Sequence, residues 1–372
     1  MKHGRREFIK AGALGAAAAA TGLPGLARAS DAQQEHRPLS VLILGGTGFI
    51  GPHMVREALR RGHSVTLFNR GRTNASLFPD LETIKGDRDG GLDGLAGHDW
   101  DAVVDNSGYV PRHVQESTRM LAAHSQRYIF ISTVSVYADF NSHNEEDSPL
   151  ASIDDESIEE VTGETYGALK ALCEKRAAAE IDSDQLTILR PTYIAGPGDH
   201  TDRFSYWPIR TRRGGSMVWP GTPADAIQVV DVRDLANFVV DCLENEISGT
   251  YNMVNAPNSY TMGELLADSQ AMTATSVEPV WISEGFAYEQ GLIGGRQLPI
   301  WHPKTGESGA GGSFSVDRAR KAGLRGRPER ETIRDLLSWW DTLPVERTGK
   351  LRAGLDPARE AELIAAWMAR KA

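Results

Sequence analysis

The chain has 372 residues, with 40 Lys and Arg against 50 Asp and Glu, a net charge of −10, 40% hydrophobic residues and two cysteines, Cys173 and Cys242. That is globular composition, long enough for two domains or for one large domain with an appended lobe. It excludes a disulfide scaffold and argues against a protein that coats nucleic acid, because Lys and Arg carry phosphate binding.

The first elements in chain order belong to an export leader. Gly4-Arg5-Arg6-Glu7-Phe8-Ile9-Lys10 precedes a weakly apolar Ala- and Gly-rich run from Ala11 to Leu26, and Ala27-Arg28-Ala29 follows. This is the layout of a signal peptide with paired arginines, cleaved after Ala29. Residues 30–38 read as a linker. No other stretch reaches the roughly 18 apolar residues of a membrane span, so no stable membrane anchor is expected. The leader carries Lys2, Arg5, Arg6, Lys10 and Arg28 against Glu7, so its removal leaves the remainder more acidic.

From Leu39 onward, short apolar runs alternate with amphipathic stretches. The pattern predicts strands at Leu39–Leu44, Ser64–Phe68, Ala102–Asp105, Arg127–Ser132, Leu186–Leu189, Ile227–Val230 and Tyr251–Val254. It predicts helices at Phe49–Arg61, His113–Ala123, Tyr166–Glu180, Thr261–Ala267, Arg330–Trp340 and Asp356–Ala369. Such a βαβ rhythm gives an α/β fold with a doubly wound parallel sheet. Acidic residues crowd 139–164, which reads as a solvated loop with a short helix, or as a lid. The Gly-rich stretch 291–312 reads as a long loop.

The strongest local motif is Gly45-Gly46-Thr47-Gly48-Phe49-Ile50-Gly51, between a predicted strand and a predicted helix. Gly45, Gly48 and Gly51 have the spacing of a dinucleotide cradle, which needs a tight turn, close backbone approach to a pyrophosphate, and a helix N-terminus facing the anion. Thr47, Phe49 and Ile50 complete the loop. At the end of the second strand, Asn69 stands where an acid would read a ribose hydroxyl. The following Arg70 and Arg72 favour a 2′-phosphate, so the cofactor is NAD or NADP with a slight lean to NADP. Asp87 and Arg88, after the third strand, are candidates for the adenine end, and Ser107 for the cofactor beyond the fourth.

Tyr166 and Lys170 stand four apart on one helix face. A phenol is a poor base at neutral pH, and a nearby ammonium is expected to ease its ionisation. Upstream, Ser132-Thr133-Val134-Ser135 ends a strand and offers hydroxyls to a substrate oxygen. No Cys-x-x-Cys or His-Glu-x-x-His occurs, so no metal site is expected. Cys173 reads as a core residue. Arg210, Arg212 and Arg213 form a small basic cluster, suited to a phosphate or to a solvated face, and Trp339 and Trp340 read as helix packing.

In order and spacing, the cradle, the Ser-Thr strand end and Tyr-x-x-x-Lys resemble the short-chain dehydrogenase/reductase superfamily. More narrowly they resemble its extended branch, the NAD-dependent epimerase/dehydratase family. Leu189-Arg190-Pro191-Thr192, Gly196-Pro197-Gly198-Asp199, Val230–Ala236 and Gly249–Asn252 are similar to later segments of that branch. Asn69–Asp89 also resembles an atypical subgroup that includes chloroplast stem-loop RNA-binding proteins. The resemblance implies a Rossmann domain at 39–245, with the insertion 139–164, and a smaller substrate-binding lobe at 246–372 joined by the loop 196–225. It implies Thr133, Tyr166 and Lys170 as catalytic residues, with Lys170 also on the nicotinamide ribose. Sugar dehydratases carry Asp-Glu after the threonine, where this chain has Val134 and Ser135, so dehydration is disfavoured.

Asp199, His200, Arg203, Tyr206, Trp207 and Trp301, with His302, are candidates for a carbohydrate-like substrate. The expected function is an epimerase or oxidoreductase acting on a sugar, polyol or glycoside. An exported enzyme draws on no pool of free cofactor, so the cofactor is expected to be tightly bound and recycled within the cycle. The expected partner is the twin-arginine export machinery, which places the protein in the periplasm or otherwise outside the cytoplasm. A one-way NADP-dependent reductase and a non-catalytic cofactor-bound scaffold stay open, as does a homodimer, common in the extended branch.

Overall fold

A computed structural model describes residues 36–292, 296–304 and 312–371. The expected leader at 1–29, residues 30–35 of the linker, and 293–295 and 305–311 of the expected loop lie outside the described residues.

The strands are β1 (Ser40–Leu44), β2 (Ser64–Asn69), β3 (Thr83–Lys85), β4 (Trp100–Asp105), β5 (Ser125–Ile131), β6 (His143–Asn144), β7 (Leu186–Pro191), β8 (Tyr193–Ala195), β9 (Gly215–Pro220), β10 (Val229–Asp231), β11 (Gly249–Met253), β12 (Val277–Ile282) and β13 (Ser313–Phe314). The helices are α1 (Gly51–Arg60), α2 (Pro111–Leu121), α3 (Tyr166–Glu180), α4 (Tyr206–Thr211), α5 (Val232–Glu244), α6 (Met262–Thr273), α7 (Glu284–Glu289), α8 (Asp317–Lys321), α9 (Glu329–Trp340), α10 (Val345–Thr348) and α11 (Pro357–Lys371).

Seven strands form one parallel sheet in the order β11-β7-β5-β4-β1-β2-β3. Successive side chains of β1 point to opposite faces. Val41 and Ile43 pack with Met54 and Val55 of α1 and Phe238 and Val239 of α5. Leu42 and Leu44 pack with Val114 of α2 and Cys173 and Ala177 of α3. That two-sided burial is why β1 is apolar without a break, and it gives the three-layer doubly wound fold that the sequence predicts. The chain winds outward through β2 and β3, then returns beside β1 as β4. A crevice opens at that reversal, beyond the carboxyl ends of the strands.

A second apolar core holds Trp207 and Trp219, with ring centroids 4.5 Å apart, together with Leu265, Trp340 and Leu363. It is built from α4, α6, α7, α9, α11 and the parallel pair β9–β12. Phe204, Trp207, Ile209, Met217 and Trp219 of the loop 196–225 pack into this core. The expected boundary at 245 does not coincide with the end of the sheet. β11 is the seventh strand, and Val316, Ala319 and Leu324 around α8 pack into the sheet's own core. The described residues from 38 onward form one compact unit.

The acidic stretch 139–164 holds no helix, against expectation, and many of its acids are paired. Glu159 meets Arg112 at 2.7 Å, Glu156 meets Arg176 at 2.8 Å, and Asp147 meets Arg318 at 2.6 Å. β6 pairs with β13. The stretch is a strap laid across α2, α3 and α8. Among the described residues no helix is long and apolar enough to cross a membrane.

Candidate active site

The glycine loop uses its glycines for three different reasons. Gly45 and Gly46 have φ of +112° and +88°, a backbone region that side chains avoid. A Cβ on Gly51 would lie 2.5 Å from the backbone of Gly46, so α1 can start there only as glycine. A Cβ on Gly48 would meet nothing within 4 Å, and Gly48 lines the large cleft with Phe49 and Ile50. The loop therefore leaves open space beside a helix N-terminus, the arrangement that accepts a pyrophosphate. Thr47 is buried, and its carbonyl accepts from Asn74 Nδ2 at 2.9 Å.

The adenosine side departs from the sequence reading in two places. Asn69 spends its amide on the loop: Nδ2 donates to the Gly45 carbonyl at 3.3 Å and Oδ1 accepts from Gly71 N at 2.8 Å. Arg88 is buried and turned inward, where it pairs with Asp105 and donates to Ser117 Oγ at 2.6 Å. Burial works to raise the pKa of Asp105, but the Arg88 guanidinium prevails and holds it below the usual carboxylate range. Arg88 thus braces the floor of the sheet, with its guanidinium bonded to Asp105 and Ser117 instead of facing the crevice. Ser107 lies at the seam of β1 and β4, its Oγ donating to the Leu44 carbonyl at 3.1 Å. Asp87 is half-buried, and Arg70 and Arg72 are exposed with no hydrogen bond or ion pair among the described residues.

Thr133, Tyr166 and Lys170 converge on one cleft of about 1190 Å³. Tyr166 opens α3 directly against the turn Val134–Val136. The approach is so close that a Cβ on Gly167 would lie 2.2 Å from the Ser135 carbonyl oxygen. Thr133 Oγ1 accepts from Ser135 N at 3.1 Å. Lys170 is buried, with Nζ donating to the carbonyls of Gly108 at 2.6 Å and Ile131 at 2.7 Å. Burial pushes its pKa down to about 8.

The expected easing of Tyr166 by Lys170 is not what the geometry gives. Burial, then the neighbouring Tyr109, raise the phenol's pKa; the Thr133 hydroxyl and the charge of Arg203 pull it back. The ammonium is directed at two carbonyls instead.

Sequence reasoning missed the support behind this wall. Glu174 takes Arg190 through Nε at 2.9 Å and Nη2 at 2.6 Å, and also accepts from Ser132 Oγ. Arg190 Nη1 reaches Tyr137 Oη at 3.1 Å. The signal was present: Glu174 continues the Tyr166–Lys170 face by another four residues, and Arg190 is a charge within an apolar strand. Tyr109, beside Tyr166 with ring centroids 6.4 Å apart, carried no motif.

The substrate candidates divide. His200 and Arg203 line the cleft, as does His302, whose Nε2 lies 2.9 Å from Tyr193 Oη. Asp199 is fully buried and bonded to Thr201 and Ser205, so it shapes its own turn. Tyr206 and Trp207 are fully buried in the lobe core, with Trp207 Nε1 donating to the Pro299 carbonyl. Trp301 is also core, its Nε1 donating to Asp225 at 2.9 Å. Arg210 and Arg212 pair with Glu360 and Asp341, so the basic cluster is not a phosphate site.

Residues 41–255, more than half of the chain, match the NAD dependent epimerase/dehydratase family. The chain is 29% identical to the chloroplast stem-loop binding protein of 41 kDa b of Arabidopsis thaliana, over 55% of each chain; it thus spans about half of that relative's length. It is 25% identical to an epimerase family protein of Bos taurus, over 69% of this chain and 87% of that one. Among solved structures it resembles a UDP-glucuronic acid 4-epimerase from Bacillus cereus in complex with NAD, with a TM-score of 0.60 and 15% identity over 81% of this chain and 96% of that one. A Thermus thermophilus UDP-glucose 4-epimerase complex with NAD gives 0.57 and 17% identity, over 82% and 100%. At those identities the likeness speaks for the fold.

Proposed function

The chain belongs to the NAD-dependent epimerase/dehydratase family, and from that premise we propose that it is an NAD(P)-dependent epimerase or oxidoreductase of a sugar, polyol or glycoside, with Tyr166 as its acid and base. The observation that carries this reading is the convergence of Tyr166, Thr133 and Lys170 with Gly48 on one cleft at the carboxyl ends of the strands. Gly45, Gly48 and Ile50 would hold the pyrophosphate, and Lys170 would face the nicotinamide end. When bound, a nicotinamide dinucleotide supplies a hydride acceptor and donor.

The chain's own part is proton handling and orientation. Thr133 holds the substrate oxygen, and Tyr166 takes the hydroxyl proton and returns it on re-reduction. Tyr166 has to ionise against its burial, and the Thr133 hydroxyl and the charge of Arg203 do part of that work. Val134 and Ser135 offer no acid–base pair for eliminating water. The exposed, unpaired Arg70 and Arg72 favour NADP, which is also what a one-way reductase would use.

The paired-arginine leader supports export of the folded enzyme by the twin-arginine route, with its cofactor aboard and recycled within each cycle. The test is to purify the exported protein without added nucleotide, denature it, and identify what is released by mass. NAD or NADP in near-stoichiometric amount is expected; neither released, with none bound on titration, sinks the reading. Tyr166→Phe should retain the nucleotide yet lose turnover by about a hundred- to ten-thousandfold.

A further inference from the structure

The lobe wall of the cleft carries a second pair of proton-handling side chains, and the backbone beneath one of them is strained. His302 Nε2 lies 2.9 Å from Tyr193 Oη, with the two rings inclined by 27° and their centroids 5.7 Å apart. Both residues line the cleft that holds Tyr166 and Thr133. Proton handling by Tyr166 uses neither.

Two residues before His302, Ile300 has a φ of +63°, a left-handed conformation that a β-branched side chain avoids. Such a conformation persists only where its surroundings over-determine it. Here Trp207 Nε1 donates to the Pro299 carbonyl at 3.0 Å, and Trp301 Nε1 donates to Asp225 at 2.9 Å. Ile300 and Trp301 are themselves buried in the lobe core. His302, next in the chain, is exposed and lines the cleft. The strained turn thus separates two buried anchors from one imidazole left at the cleft.

Although that ring meets the cleft, the protein packed around it lowers its pKa below the usual histidine value, so it is neutral at pH 7 and able to accept a proton. Burial holds the Tyr193 phenol above its usual value, and the Arg203 guanidinium, 4.9 Å from the ring, pulls it back. The charge of Arg203 is felt at Tyr166 as well, so the pair and Tyr166 lie within electrostatic range of one group. Nδ1 of His302 has no hydrogen-bond partner among the described residues. With Nε2–H donating to Tyr193 Oη, Nδ1 keeps its lone pair.

Resting on the function proposed above, we propose that His302, oriented by Tyr193, is a second catalytic base, which takes a proton from the carbon beside the carbonyl of an α-hydroxy ketone, the class of compound that oxidation of a sugar hydroxyl yields. The step is redox-neutral. The C–H bond breaks, its proton moves to Nδ1, and its electron pair forms the C=C bond of an enolate. The hydroxyls of Thr133 and Tyr166 hold the enolate oxygen. Return of a proton from Nδ1 restores the ketone, so hydrogen at that carbon exchanges with solvent.

The experiment incubates the purified full chain in heavy water with dihydroxyacetone and L-erythrulose, ketones that need no prior oxidation. Deuterium at carbon is read by proton NMR against buffer alone. Exchange about a hundredfold above buffer is expected with at least one of them, the lower end of what a positioned base contributes. His302→Gln should return exchange to the buffer rate with melting temperature and nucleotide content unchanged. In nitrogen-15-histidine-labelled protein, the His302 signal, assigned by its loss in His302→Gln, should be the Nε2–H tautomer at pH 7. Tyr193→Phe should give a mixture of tautomers and slow exchange by about tenfold. No exchange above buffer with either ketone, exchange that survives in His302→Gln, or the Nδ1–H tautomer would overturn the proposal. Nucleotide release and Tyr166→Phe turnover decide the underlying function separately.

Discussion

The two walls of the cleft obey different rules. On the cradle wall, residue identity follows from backbone conformation and close approach: Gly45, Gly46 and Gly51 are glycines because of φ or of a neighbouring backbone atom. On the substrate wall, identity says little until the direction of each side chain is known. Arg203 faces the cleft while Trp207, four residues on, is fully buried. Short-range geometry is written in sequence, whereas the direction of a loop side chain is settled by the packing it joins.

The largest expected effect tests that division. Trp207→Ala should cost about 3–5 kcal/mol of unfolding free energy, as a buried indole does, whereas His200→Ala, at the cleft edge, should stay within about 0.5 kcal/mol. Denaturant melts check both. A Trp207 variant of full stability that failed only in ligand binding would mean that the two residues had been assigned to the wrong walls.

This is also where the limits of legibility lie. The parallel sheet, both ends of α3 and the Tyr166–Thr133–Lys170 set were readable, because periodicity and a helical i, i+4 spacing are local. Asp199, Tyr206, Trp207 and Trp301 were misjudged because polar and aromatic residues on a loop suit a sugar and a core equally well. The inward turn of Arg88 was not legible because its partner, Asp105, is 17 residues away at the end of β4. The lobe's β9–β12 pairing joins segments about sixty residues apart, and no spacing announces it.

Lys170 gives the next effect, through pH. Its folded pKa of about 8 lies below the ordinary lysine value of 10.5. Between those values the unfolded chain holds the proton and the folded chain does not, so stability rises with pH across that window. Below about pH 8 both states are charged and the full burial cost remains. Relative to Lys170→Met, the unmodified protein should gain at most about 3 kcal/mol between pH 8 and 10.5. Parallel pH profiles for the two proteins would instead place the ammonium in water.

Within the cradle the glycines should separate cleanly. Gly51→Ala pushes a Cβ into Gly46 and should destabilise by about 1–3 kcal/mol. Gly48→Ala should leave stability within about 0.5 kcal/mol but lower the nucleotide content of the purified protein. Equal melting temperatures for the two variants would erase the distinction between structural and ligand-facing glycines.

The acidic strap is expected to give the smallest effect, for a reason that separates it from both walls. Glu159 and Arg112 are each about two-fifths exposed, at 42% and 41%, so water and salt screen their pairing. Glu159→Gln should therefore cost less than about 1 kcal/mol, and less again at high ionic strength. Glu146 differs: it is buried, and its Oε1 accepts from Asn252 N at 3.0 Å on β11. Its loss would leave a buried donor unmet, at a cost of about 1–3 kcal/mol. The strap is thus pinned at the sheet edge by one buried carboxylate, while its exposed pairs tune only how closely it lies on α2 and α3. If Glu159→Gln cost as much as Glu146→Ala, the exposed pairs would be holding the strap, and the sheet-edge anchor would be redundant.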